Sequence, residues 1–124
     1  MVEIVIWNKL NPTPASSVNI TNAYEFVLVF GDTPLKANST YTSNVITTSV
    51  YSSNPYKKVH RAVMSTDFGH EFFNRYIPEG SYILDPYFGV GTTGELCIKH
   101  KCNYQGIELS EEYIKIAKER LLLL

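Results

Sequence analysis

Cysteine is scarce in this chain of 124 residues: Cys97 and Cys102 are the only two. With His100 between them they offer too few ligands for a structural metal site, and they fall on a helix-to-strand passage. Free thiols in a cytosolic protein, and no metal, are the expectation. Long apolar runs are lacking as well. The opening Val2-Glu3-Ile4-Val5-Ile6-Trp7 is short and carries Glu3, so nothing reads as a signal or membrane segment, and a cytoplasmic location follows. Neither sign of charge dominates: 11 Lys and Arg stand against 12 Asp and Glu, a net charge of -1. That balance fits one soluble domain or part of one. What is abundant is aromatic, with nine Tyr and six Phe to build a core.

The most informative stretch runs from Tyr82 to Leu109. An apolar run ends in Asp85-Pro86-Tyr87-Phe88-Gly89-Val90-Gly91-Thr92-Thr93-Gly94, a short helix-like segment follows, and a second apolar run closes on Glu108. This is the layout of a β-turn-α-β unit that holds an adenosine-containing cofactor. Gly89 and Gly91 let the backbone turn sharply and approach a ligand, because no Cβ stands in the way. A helix starting near Thr92 presents N–H groups that favour an anionic group. A carboxylate at the tip of the next strand accepts ribose hydroxyls.

Gly89-Val90-Gly91-Thr92-Thr93-Gly94 also matches the dinucleotide pattern G-x-G-x-x-G, with Glu108 about twenty residues on. NAD therefore stays open on the residues alone. Two details favour S-adenosylmethionine. Asp85 sits at the turn, where it repels a pyrophosphate and suits an ammonium group. Too little chain follows Glu108 for the second half of a dinucleotide fold.

Asp85-Pro86-Tyr87-Phe88-Gly89-Val90-Gly91-Thr92-Thr93, together with Gly106-Ile107-Glu108-Leu109 and the helix around Tyr113, Ala117 and Arg120, resembles the C-terminal end of the β-class DNA amino-methyltransferases. Upstream, Trp7-Asn8-Lys9, Asn11 to Ser17, Asn22-Ala-Tyr24-Glu25-Phe26 and His60 to Met64 resemble further segments of that class, in its order. The resemblance implies an α/β fold: a partial Rossmann-like methyltransferase, three-layered around a mostly parallel sheet that is incomplete in this chain. It implies S-adenosylmethionine as cofactor, held by Asp85 (ammonium), Phe88, Gly89, Gly91 and Thr92 (turn), Thr93 (carboxylate), Glu108 (ribose) and Leu109 (adenine), with His60 closing the pocket. The Lys that often follows in that segment is absent before the helix. Near the target base it implies Asn8, Pro12, Pro14, Asn22 and Tyr24, and Lys57, Lys58 and Arg61 form a local basic cluster suited to phosphates. Double-stranded DNA is the implied partner, methylated on cytosine N4 or adenine N6 within a restriction-modification system. The near-neutral charge predicts weak DNA binding by this chain alone.

The class also carries a catalytic loop of the form Asp/Asn/Ser-Pro-Pro-aromatic, and this chain has no Pro-Pro pair. That loop accepts hydrogen bonds from the amino group as positive charge develops on nitrogen, and its aromatic stacks on the flipped base. No catalytic residue is therefore assigned here. Asp85-Pro86-Tyr87-Phe88 and Ser53-Asn54-Pro55-Tyr56 each mimic the loop minus a Pro; the first is the cofactor turn and the second reads as a β-turn. A second chain carrying the catalytic half, or a homodimer, is the expected complement. A non-catalytic cofactor-binding remnant or regulatory module is the alternative.

Residues 1–124 are thus expected to form one partial domain, with 31–58 as a target-recognition or variable loop and 81–124 as the cofactor-binding unit. Periodicity predicts four strands, about 3–7, 25–30, 81–85 and 104–108. In the order the resemblance implies, the first pair and the last pair are not neighbours. The polar stretch 38–54 reads either as a recognition surface or as a solvated loop with a short hairpin. Asp67 is a plausible N-cap for an aromatic-striped helix through Ile77, and Ser110 caps the last helix.

Overall fold

The computed structural model describes residues 2–14, 20–51, 56 and 63–124. His60, Lys57, Lys58, Arg61 and the Asn54 turn lie outside the described residues. The order is β1 (Val2–Leu10), β2 (Tyr24–Phe30), β3 (Val45–Ser49), α1 (Thr66–Tyr76), β4 (Tyr82–Asp85), α2 (Thr92–Lys99), β5 (Asn103–Gly106) and α3 (Glu111–Leu122). The strands form two sheets, β2-β1-β3 and β4-β5. β1 runs antiparallel to β2, from Val2 opposite Phe30 to Asn8 opposite Tyr24. The β1–β3 and β4–β5 pairs are parallel. Among the described residues no helix is long and apolar enough to cross a membrane.

β3 departs from the sequence expectation. The stretch 38–54 looked polar, but Val45-Ile46-Thr47-Thr48 is a run of β-branched residues suited to a pleated surface. It is no hairpin: its partner is the distant β1, from Ile6 opposite Val45 to Leu10 opposite Ser49. Ile46 is fully buried there.

Alternation along the strands separates two faces. Val5 and Trp7 point inward with Ile46 and meet Phe68 and Tyr76 of α1. The Trp7 indole stacks on Phe68 at 5.0 Å and donates to Thr48 Oγ1 at 2.8 Å. A second core joins Phe73 of α1 to Leu96 and Cys97 of α2, with Ile83 and Tyr104 packed against it. α1 therefore feeds both cores and links two sheets that share no ladder. The aromatic stripe read from the sequence is this double-sided packing.

Helix ends follow local chemistry. α1 is capped by Ser65, whose hydroxyl accepts from the Phe68 N–H, and not by Asp67, which sits in the first turn. Asp67 still favours that end through the helix dipole. Ser110 caps α3 as expected, accepting from the Tyr113 N–H. The helices cover one face of the strands. On the opposite face Ile4, Phe26, Leu28 and Phe30 are exposed, so the described residues supply two layers of the expected three.

Candidate functional site

The site begins where β4 ends. Beyond the last paired residues the chains stay in register: the Ile107 N–H donates to Asp85 O at 2.8 Å and the Phe88 N–H to Ile107 O at 2.9 Å. The backbone then turns through Gly89 (φ 54°) and Gly91 (φ 82°), a left-handed geometry that costs glycine little. Gly91 is the N-cap of α2 and no side chain caps it, which leaves first-turn N–H groups for a ligand.

The Phe88 ring fixes this turn from behind. It stacks on Tyr104 with ring centres 5.8 Å apart. A Cβ on Gly106 would lie 2.3 Å from that ring, and one on Gly94 would lie 2.8 Å from it. The third glycine of the G-x-G-x-x-G pattern thus serves close packing, and Gly106 does the same from β5.

Two carboxylates flank the turn. Asp85 Oδ1 accepts from the Tyr87 N–H at 2.9 Å, and Oδ2 accepts from the Thr93 hydroxyl at 2.6 Å. Its partner is a side chain of α2, so Asp85 does not cap that helix. Glu108 Oε2 accepts from the Gly89 N–H, and Oε1 accepts from the Leu109 and Ser110 N–H groups, each at 2.8 Å. Glu108 thus joins the glycine turn to the start of α3.

Asp85, Phe88, Gly89, Thr92, Thr93 and Glu108 line one cleft of about 510 Å³. That is ample for a nucleoside-sized ligand. Gly91 shapes the turn beside it, and Leu109 is 96% exposed outside its lining. Val63, Met64 and Tyr113 also line it. Sequence had placed Val63 and Met64 within the segment His60 to Met64 that closes over the cofactor, without assigning either a role, and had not singled out Tyr113 as a site residue. Val63 and Met64 close the segment that begins at His60, and Tyr113 gave no signal beyond its place in the first turn of α3.

Asn8, Asn22 and Tyr24 gather elsewhere, at one end of the β1–β2 pair. Asn8 lies opposite Tyr24 and donates to Thr47 Oγ1 at 3.2 Å, while Asn22 Oδ1 accepts from the Tyr24 N–H at 3.3 Å. Pro12 and Pro14 follow β1 in the loop beyond. None of these five lines the cleft among the described residues.

Another cleft of about 520 Å³ opens between the end of α1 and His100. Asn38 Nδ2 there already donates to the Asn74 and Ile77 carbonyls at 3.0 and 3.2 Å, a bond pattern that ties the chain to itself. Cys97 is not a nucleophile at neutral pH, because burial, helped by the nearby Cys102 and Asp85, pushes its thiol up to about 11.

Comparison with known proteins decides the family. Residues 1–119 match the N6_N4_Mtase family, described as DNA methylase. The chain belongs to this DNA methylase family.

Relatives of the methylase chain include the type II methyltransferase M.Cfr9I of Citrobacter freundii, 30% identical over 94% of this chain and 43% of that protein. The type II methyltransferase M.SmaI of Serratia marcescens is 30% identical over 95% of this chain and 45% of that protein. The chain thus spans less than half the length of both curated relatives. Among solved structures, the M1.HpyAVI–SAM complex superposes with a TM-score of 0.77 at 27% identity, covering 96% of this chain and 61% of that one. The cytosine-N4-specific PvuII DNA methyltransferase gives a TM-score of 0.75 at 18% identity, over 95% of this chain and 50% of that one, a likeness of fold.

Proposed function

We propose that this chain is the S-adenosylmethionine-binding part of a DNA methyltransferase acting on an exocyclic amino group, cytosine N4 or adenine N6, in a restriction-modification system. The observation that carries the reading is the convergence of Asp85, the glycine turn and Glu108 on one cleft. An acid at each end of a left-handed turn suits a ligand that is cationic at one end and carries a diol at the other. Asp85 keeps capacity for it: a carboxylate has about four acceptor positions, and Asp85 accepts two hydrogen bonds, from the Tyr87 N–H and the Thr93 hydroxyl. A pyrophosphate would meet Asp85 as a like charge, which disfavours NAD.

Bound there, S-adenosylmethionine supplies a sulfonium-activated methyl group. This chain's part is to orient it: Asp85 takes the ammonium, Glu108 the ribose hydroxyls and Leu109 the adenine face, while Val63 and Met64 wall the cleft. Asn8, Pro12, Pro14, Asn22 and Tyr24 serve the target base, and Lys57, Lys58 and Arg61 the phosphates. The acceptors that an amino nitrogen needs as it gains positive charge come from residues outside this chain, in a Pro-Pro loop on a complementary polypeptide. The apolar outer face of β1 and β2 supports such a complement. A cytoplasmic location fits that role.

The test is a calorimetric titration of the chain with S-adenosylmethionine, with NAD and a Glu108→Ala variant as controls. Methyl transfer to duplex DNA is then assayed after mixing with a polypeptide that carries a Pro-Pro-aromatic loop. Saturable binding that the variant loses, and transfer only in the mixture, is the expected result. Binding of NAD in preference to S-adenosylmethionine overturns the cofactor, and binding without transfer in any mixture leaves a cofactor-binding remnant.

A further inference from the structure

Arg120 is the only charged residue among the described residues that is fully buried, at 3% exposure. On the sequence it stood only within the last helix of the segment that carries the resemblance. The structure gives it work. Its Nε and Nη2 donate to Glu95 Oε2 on α2. Its Nη1 donates to the Val90 carbonyl at 3.1 Å and to Thr92 Oγ1 at 3.2 Å. The Tyr56 ring covers the guanidinium at 4.7 Å. Glu95 stays ionised despite its burial, because Lys99 and Arg120 both hold its charge.

We propose that Arg120 is the positioning residue of the cofactor turn, acting through Val90 and Thr92 on the end of the cleft that receives an amino-acid moiety. The inference rests on the S-adenosylmethionine reading above. Val90 stands between two residues of positive φ, Gly89 and Gly91, which on their own hold the backbone weakly. Anchoring the Val90 carbonyl fixes the peptide plane between them. The second bond sets the Thr92 hydroxyl. Its oxygen accepts from Arg120, so its proton is free to donate into the cleft that Thr92 lines. The Thr93 proton is spent on Asp85. Of the two neighbouring threonines, Thr92 is therefore the donor left for an anionic group, a role the sequence had given to Thr93.

The test compares two ligands. S-adenosylmethionine carries the amino-acid end; 5′-methylthioadenosine shares the nucleoside and lacks it. In Arg120→Lys, S-adenosylmethionine is expected to bind about tenfold more weakly, the worth of one charge-assisted hydrogen bond. Affinity for 5′-methylthioadenosine stays unchanged. Amide exchange at Gly89 and Gly91 quickens while that at Phe68 and Ile77 in and beside α1 does not. Thr92→Val keeps the Arg120–Glu95 pair, and reproduces the selective loss if Arg120→Lys fails to fold. Equal loss for both ligands, or a lowered melting temperature with unchanged affinities and loop exchange, overturns the proposal and leaves Arg120 a structural ion pair. If the unaltered protein binds neither ligand, the S-adenosylmethionine reading fails, and loop exchange in the free protein still decides whether Arg120 holds the turn.

Discussion

Glu108 carries two tasks that a pair of substitutions can separate. Its carboxylate bonds the N–H groups of Gly89, Leu109 and Ser110, and it faces the cleft. Glu108→Gln keeps one acceptor oxygen, enough for the Leu109 and Ser110 N–H groups, but turns an amide NH2 toward the Gly89 N–H and loses the charge, so ligand binding is expected to fall about tenfold with a loss of stability of about 1 kcal/mol. Glu108→Ala strands backbone donors as well and is expected to cost a further ~1–3 kcal/mol of folding stability. Calorimetry and urea unfolding of both variants check this, and equal unfolding curves for Gln and Ala would sink the tethering role. At Gly106 the prediction concerns packing: a Cβ there would lie 2.3 Å from the Phe88 ring. Gly106→Ala is expected to cost roughly 1–3 kcal/mol, the usual range for overpacking. Gly106→Ala with Phe88→Leu is expected to recover part of that in thermal melts. At this scale much was legible, because turn glycines and flanking acids are local chemistry. That Asp85, Gly89, Gly91 and Glu108 would gather about one turn could be read from spacing; the ligand could not. Arg120 could not, since its partners Val90, Thr92 and Glu95 lie far away in sequence.

Between elements, α1 and α2 meet at a histidine pair. His70 Nδ1 and His100 Nε2 lie 2.9 Å apart, and the Phe73 ring rests on His100. The bond needs a donor on one ring and an acceptor on the other, so at least one must be neutral. Burial, and then the neighbouring His70, holds His100 below its ordinary value of 6.5. A base with a depressed folded pKa contributes stability that is complete above its unfolded value and is lost as pH falls toward the folded one. The junction is therefore expected to weaken below pH 6.5. His100→Asn is expected to show a shallower fall of the urea midpoint between neutral and mildly acidic pH. Parallel slopes for the two proteins would refute the coupling. Element existence was well signalled: α1, α2, α3 and four strands stand near their expected places. β3 was hidden, because a short β-branched run among serines and threonines has no period of its own, and its partner β1 is remote. The cap of α1 was misplaced by two residues, since Ser65 and Asp67 are both good caps and only backbone geometry chooses.

At the scale of the whole molecule, the outer face of β1 and β2 is a chemically unfinished surface among the described residues. Ile4, Phe26, Leu28 and Phe30 lie on the face of β1 and β2 opposite the core, with Val2 and Val45 at its margins, all exposed. Sequence anticipated that the first two strands and the last two would not be neighbours, and the two sheets indeed share no ladder. Which face would be left bare could not be read from it, because alternation marks an apolar face without naming what covers it. Contiguous apolar surface of this kind is rare on soluble monomers. The chain alone is expected to self-associate and to bind a hydrophobic dye. Phe26→Thr with Leu28→Thr keeps β-branched strand formers on the outer face and leaves Val5, Trp7 and Ile46 untouched. That variant is expected to sediment closer to a monomer, with an unchanged unfolding midpoint, and to lose methyl transfer in the reconstituted mixture while still binding S-adenosylmethionine. Retained transfer by the variant would place the complement elsewhere, on the open edges of the sheets. Loss of cofactor binding along with transfer would mean that the outer face supports the glycine turn through the sheet, a coupling for which the separate ladders offer no route.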